Sequence, residues 1–242
     1  MFSNVLAATI FEDSFETYDL GDLTGQGDWL GSNQAQVVDS HYKEGSKSAY
    51  FPATDTYYHV NKTGTETCVG SVGFWFKILT PVGDTDNLFT FLVRQETEGK
   101  ITANIRIGGD WTIQSRIVEY QDSDLNFIFL GNYSLNIWYP VDIEWNCNIK
   151  QVRFNFNNTG WTDWVLNRDN TNIAPTTLLT EEAGGKPLAK DSYFYFDWIA
   201  ETSKIPSCSL ERCDLCSQIY WFAILTIHNC FDYTIFFIYQ QE

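Results

Sequence analysis

The chain has 242 residues and a mass of 27.9 kDa, a length that suits one large all-β domain or two small domains. Its 31 acidic against 15 basic side chains give a formal charge of -16. No Lys/Arg cluster reverses that charge locally, which excludes nucleic acid as a partner. Aromatics at 17% with charged residues at only 19% exclude intrinsic disorder.

The first eight residues are mostly apolar. Val5-Leu6-Ala7 has the small-x-small form that precedes a signal-peptidase cut, so residues 1–8 read either as the remnant of a signal peptide or as a lead-in to the first strand. From about residue 9 to 200, short β-prone runs are punctuated by Gly, Asn, Asp and Ser, with no convincing amphipathic helix. Runs at 72–79 and 87–93 are followed by Ile101, Ala103, Ile105 and Ile107, which alternate with Thr102, Asn104 and Arg106. Further runs cover 111–120 and 138–145. Val152, Phe154 and Phe156 then alternate with Arg153 and Asn155, and 193–199 closes the series. Period-two alternation means that one face is buried. Roughly a dozen strands are too many for one open sheet without curling or splitting, so two packed antiparallel sheets are expected. Residues 163–187 are less regular and read as loops, with Gly184-Gly185-Lys186-Pro187 turning into the last strand.

Composition changes after Pro206. Cys208, Cys213, Cys216 and Cys230 sit in the last 35 residues and read as a small disulfide-linked tail, which implies an oxidising compartment. Free thiols and zinc are the competing readings, the latter with His228 or Cys230 as fourth ligand, although the spacing is not that of a ribbon or finger. Residues 219–238 are apolar and aromatic but broken by His228, Asn229 and Asp232. That stretch admits three readings: a membrane anchor, a hairpin, or the product of a shifted reading frame. Cys68 and Cys147 fall in expected strands far apart in sequence, as a bridge between sheets or as two buried thiols. Sequons at Asn61, Asn132 and Asn157 matter only in a eukaryotic secretory pathway.

The run Phe11-Glu-Asp-Ser-Phe-Glu-Thr-Tyr-Asp-Leu-Gly-Asp-Leu-Thr-Gly-Gln-Gly-Asp-Trp29 is the most specific stretch of the chain. It resembles the start of concanavalin A-like lectin/glucanase (laminin-G-like) jelly rolls of secreted microbial proteins. Gln36-Val-Val-Asp39, Gly45-Ser-Lys-Ser-Ala49, Ile137-Trp-Tyr-Pro-Val-Asp-Ile-Glu-Trp145, Val152-Arg-Phe-Asn-Phe156 and Tyr195-Phe-Asp-Trp-Ile199 fit in order. The resemblance implies an all-β, two-sheet antiparallel jelly-roll sandwich over residues 9–200, followed by the cysteine-rich, apolar tail of 201–242. It implies little about activity, because binding modules, adhesins, hydrolases and lyases share this architecture.

The resemblance also implies a structural Ca2+ site, in which a glutamate of the first strand and an aspartate of the last meet at one sheet edge. The matching positions are Glu16 and Asp197 with the backbone of residues 45–48, Lys47 among them, and Asp13 as an extra ligand. Two carboxylates plus carbonyls suit an ion that takes six to eight oxygens. The alternative is that Glu16 and Asp197 are solvated or hydrogen-bonded edge residues in an acidic protein.

Catalytic signals are poor. Asp142-Ile-Glu144-Trp145 resembles the Glu-x-Asp-x-x-Glu strand of family 16-type glucanases, but Pro140 and Val141 stand where the first acid belongs and no glutamate follows at the required spacing. His41, His59 and His228 lack the context of an alginate-lyase acid/base pair. Sugar binding through aromatics is the reading favoured, since flat pyranose faces stack on rings that lose little rotamer entropy. Trp29, Trp111, Trp161 and Trp164 lie near turns, and Asn158 in Asn157-Asn158-Thr159-Gly160-Trp161 adds an amide for hydroxyls. The bland alternative is that these tryptophans close the ends of the core. The expected function is a non-catalytic glycan-binding or interaction module, secreted or at the cell surface, with a polysaccharide or surface glycan as partner. Membrane contact is expected only through the tail. The runners-up are a glycan-active hydrolase or lyase and a structural adhesin domain.

Overall fold

In the computed structural model, which describes residues 8–52, 58–79, 88–108, 116–183 and 193–203, the chain is all β apart from one 3-10 turn at Cys147–Ile149. The strands in chain order begin with β1 (Ala8–Asp13), β2 (Gly21–Asp22), β3 (Trp29–Gly31), β4 (Gln36–Val38) and β5 (Ser48–Pro52). Next come β6 (Tyr58–Thr63), β7 (Val69–Ile78), β8 (Leu88–Gln95), β9 (Lys100–Gly108), β10 (Ile117–Gln121) and β11 (Phe127–Asn132). The last are β12 (Tyr139–Asn146), β13 (Gln151–Phe156), β14 (Val165–Leu166), β15 (Thr177–Ala183) and β16 (Tyr193–Ser203). All belong to one compact unit, Met1–Ile205.

Two antiparallel sheets form. The nine-stranded sheet runs β14-β13-β12-β7-β16-β5-β4-β2, with β1 also on β16, and the seven-stranded sheet runs β11-β10-β9-β8-β15-β6-β3. The first and last strands pair, Asp13 opposite Ile199, as the resemblance implied. Alternation sets the core: Val72, Phe74, Phe76 and Ile78 of β7 and Val141, Ile143 and Trp145 of β12 face Phe89, Phe91 and Val93 of β8 and Ala103, Ile105 and Ile107 of β9. Across the gap Phe74 stacks on Phe91 with centroids 4.2 Å apart, and Tyr120 on Phe154 at 4.5 Å.

Three expectations need correction. Residues 163–187 are not merely loops: β15 lies between β8 and β6 in the seven-stranded sheet, where ladders on both sides override a Glu-Glu-Ala ending that is poor for a strand. The edge strand β11 was also not anticipated. Cys68 and Cys147 do form a disulfide, but within the nine-stranded sheet, linking the entry of β7 to the exit of its neighbour β12. The Trp111 region, the turn at 184–187, the apolar start up to residue 7 and the cysteine-rich tail lie outside the described residues.

Candidate functional site

The outer face of the seven-stranded sheet gathers polar and aromatic groups that the core excludes. Register places Glu119 of β10 opposite Arg106 of β9 on one side and Phe129 of β11 on the other, with Gln121 opposite Phe127. With Asn104 two residues from Arg106, these six side chains share the face turned away from the core. Arg106 donates through Nε to Glu119 Oε2 at 2.8 Å and its Nη2 contacts the same oxygen. Its guanidinium lies 3.5 Å from the centroid of the Phe127 ring. Phe129 is 55% exposed.

A loop from the nine-stranded sheet completes this surface. The buried Asn167 ties the loop by donating to Thr171 O at 2.7 Å and accepting from Thr171 N at 2.8 Å. The next two residues dock on β9, with Arg168 N donating to Thr102 O and Asp169 N to Ile101 O, both at 3.1 Å. Arg168 Nε then donates to Gln121 Oε1 at 3.1 Å, and Asn104 Nδ2 donates to the same oxygen at 3.0 Å. Because Arg168 can only donate and the Leu125 carbonyl that receives Gln121 Nε2 can only accept, the amide orientations of Gln121 and Asn104 are both fixed. Asn104 Oδ1, buried on this face, has no donor among the described residues, and the same is true of Asn61 Oδ1 on β6.

The tryptophans anticipated from the sequence separate. Trp29 is corrected: it is 1% exposed, packed beside Phe15, and its Nε1 donates to Asp13 Oδ2 at 2.6 Å, so no ring face is open for stacking. Trp161 and Trp164 do come together, on the outer face of the nine-stranded sheet, each with its ring centroid 4.7 Å from the Arg153 guanidinium. Arg153 in turn pairs with Glu144 across β12 and β13 at 2.5 Å. Asn158 is exposed in the left-handed turn beside them. Glu144 and Asp142 are thereby the polar face of β12, as their alternation indicated, and Asp142 accepts from Asn155 Nδ2 at 3.1 Å. Phe127 and Phe129 were missed because β11 was missed. The alternation Phe127-Ile128-Phe129 was the available signal.

The expected metal residues occupy two different settings. Asp13 is corrected from an extra ligand to the centre of a buried cluster. It is 4% exposed and accepts from Phe15 N at 3.0 Å, Tyr18 Oη and Trp29 Nε1 at 2.6 Å, and Lys62 Nζ at 2.8 Å, so its counter-charge is an ammonium. Burial and then the bond to Asp13 hold the Tyr18 phenol well above its ordinary value, so it stays a donor.

Glu16 faces the loop at residues 45–47. Its Oε1 accepts from Ser46 N at 2.7 Å and Lys47 N at 2.8 Å, and its Oε2 accepts from Ser46 Oγ at 2.7 Å. Slight burial opposes the charge, but the Ser46 hydroxyl, the two backbone N–H groups and the Lys47 ammonium outweigh it and hold this carboxyl below its ordinary range. Gly45 permits the approach: it has φ +70°, and a Cβ there would lie 2.3 Å from Glu16 Oε1. Lys47 Nζ donates back to Glu16 O at 3.0 Å and Tyr18 O at 2.5 Å. The described groups bonded to the Glu16 carboxylate are therefore donors, and the carbonyls of Glu16 and Tyr18 hold an ammonium, whereas calcium takes oxygens. Asp197 is placed on β16 opposite Trp75, and its side chain lies outside the described residues.

No family model and no curated protein sequence matches the chain. Its fold is similar to that of a conserved carbohydrate esterase from the Shiga toxin-encoding bacteriophage phi24B, with TM-score 0.61 and 15% identity over 82% of this chain and 100% of that one. The cellulose induced protein Cip1 gives TM-score 0.55 and 16% identity over 82% and 100%. A sialidase gives TM-score 0.59 and 10% identity, and there the alignment spans 82% of this chain but only 19% of the sialidase. At such identities the likeness shows the fold alone. The chain accordingly has the two-sheet β-sandwich fold, consistent with the jelly-roll expectation, with no single superfamily singled out.

Proposed function

We propose that the chain is a non-catalytic glycan-binding module of the extracellular space or cell surface, and that it binds through the outer face of the seven-stranded sheet. The observation that carries this reading is the meeting of the Phe127 and Phe129 rings with the Asn104, Gln121 and Arg168 network on that face. Rings supply an apolar platform for a pyranose, and the amides supply directional bonds for its hydroxyls. Both guanidiniums are already neutralised, Arg106 by Glu119 and Arg168 by Asp169, and the whole chain carries -16. The ligand is therefore a neutral glycan rather than a uronate or a sialylated chain. The fold shared with a carbohydrate esterase and a sialidase supports a glycan partner, and the Cys68–Cys147 disulfide supports an oxidising compartment.

The non-catalytic reading rests on pairing. Two described carboxylates beside the rings and amides, Glu119 and Asp169, are each held in an ion pair, with Arg106 and Arg168. Glu119 is turned to Arg106, whereas paired-carboxylate hydrolysis needs two carboxyl groups that flank the scissile bond.

A glycan array with the wild type, Phe129→Ala and Trp161→Ala tests the proposal. Expected is binding to neutral glycans that weakens about tenfold in Phe129→Ala, the size of one aromatic contact, and persists in Trp161→Ala. Loss in Trp161→Ala alone would move the site to the Arg153 face. Cleavage of a bound glycan would favour the hydrolase or lyase reading, and no binding at all the structural adhesin.

A further inference from the structure

The turn after β1 and the loop before β5 hold each other by two oppositely directed sets of bonds. The Glu16 carboxylate takes the N–H groups of Ser46 and Lys47 and the Ser46 hydroxyl. The Lys47 ammonium takes the carbonyls of Glu16 and Tyr18. The turn supplies those carbonyls because Phe15 is left-handed at φ 61° and Tyr18 N donates to Phe15 O, which turns the backbone oxygens of residues 16 and 18 toward the loop. The result is a small cation cradle of two carbonyls beside a carboxylate kept ionised, and the cation in it belongs to the chain.

We infer that the Lys47 ammonium is the resident cation of this corner and performs the stapling that a bound calcium ion would otherwise supply. Two geometric facts carry the inference. The carbonyls of Glu16 and Tyr18 both accept from the Lys47 ammonium, so a second cation on them would sit against a like charge. Glu16, the one described carboxylate here, accepts from two N–H groups and a hydroxyl, and the Lys47 ammonium beside it already offsets its charge. Among the described residues no group of three His, Cys, Asp or Glu side chains gathers here or elsewhere as a metal site. The consequence is a corner joining the turn after β1 to the loop before β5 that holds without calcium, in contrast to the expectation raised by the sequence. This inference stands apart from the glycan reading, which it neither needs nor supports.

Thermal unfolding of the full chain with EDTA, with millimolar CaCl2 and with neither is the first arm. The expected result is one melting temperature in all three conditions and no heat of binding when calcium is titrated by calorimetry. A melting temperature that falls with EDTA and is restored by calcium would overturn the inference and return the corner to a metal site. The second arm is Lys47→Met, which keeps the apolar stem and removes the charge. It should melt about 5 °C lower, since two charge-assisted bonds are lost. An unchanged melting temperature for Lys47→Met would also overturn the inference, and if that variant fails to fold the first arm still decides.

Discussion

At the scale of single residues the N-terminal turn concentrates most of the consequential chemistry. Asp13 anchors four donors from three parts of the chain, and its partner Lys62 is 8% exposed, so each charge is tolerated only because the other is present. Asp13→Ala should therefore cost about 3–5 kcal/mol, read by urea unfolding, because it leaves the ammonium buried and unpaired. Asp13→Leu combined with Lys62→Met should cost less than Asp13→Ala alone, and a larger loss would show that the pair does more than neutralise itself. Glu16 gives a pH signature. Its folded value lies below the ordinary glutamate value of about 4.3, so the clamp contributes fully above that pH and is lost as pH falls through the folded value. Melting curves of the wild type and Glu16→Gln should differ at neutral pH and converge in acid. Glu16 was legible as a residue engaged with the 45–48 loop, but not as an acceptor of its N–H groups, because the direction of a backbone bond depends on dihedrals that composition does not reveal.

Among the elements, β7 and β12 are joined both by a ladder and by a disulfide. Their ladder runs from Tyr139 opposite Phe76 to Asn146 opposite Val69, and just beyond it Cys147 N donates to Cys68 O at 2.8 Å beside the disulfide. The bridge closes a loop of 79 residues, so replacing both cysteines with serine should lower stability by about 2–5 kcal/mol in chemical denaturation. Equal stability of the serine variant and the oxidised wild type would show that the ladder alone fixes this edge. The strands that alternate cleanly, β9 and β13, were readable because one face of each meets the core and the other carries Arg, Asn and Thr. By contrast β15 lacks a private signal. Its place in the sheet comes from β8 and β6 on its two sides, which are more than 80 residues away in sequence.

For the whole molecule, every described strand belongs to the unit that ends at Ile205, with the closing strand β16 finishing at Ser203. A chain truncated after Pro206 should keep its cooperative melting transition within about 2 °C and its glycan binding, checked by calorimetry and the same array. Loss of the transition would mean that the tail completes the core. By itself the sequence determined the fold class: alternation with period two, turn residues between the runs and a deficit of charge leave few arrangements other than two packed sheets, while the pairing of its ends was implied by the family resemblance. It also determined that Asp142 and Glu144 are a strand's polar face. Only the tertiary structure decided which aromatics remain open and which partners the charges find. Trp29 and Phe129 are each followed by Leu-Gly, yet one is sealed by Asp13 and Lys62 while the other stands on an edge strand facing outward. The physical reason is that exposure and ion pairing are set by the stacking order of strands distant in sequence, and that order is written in no local pattern.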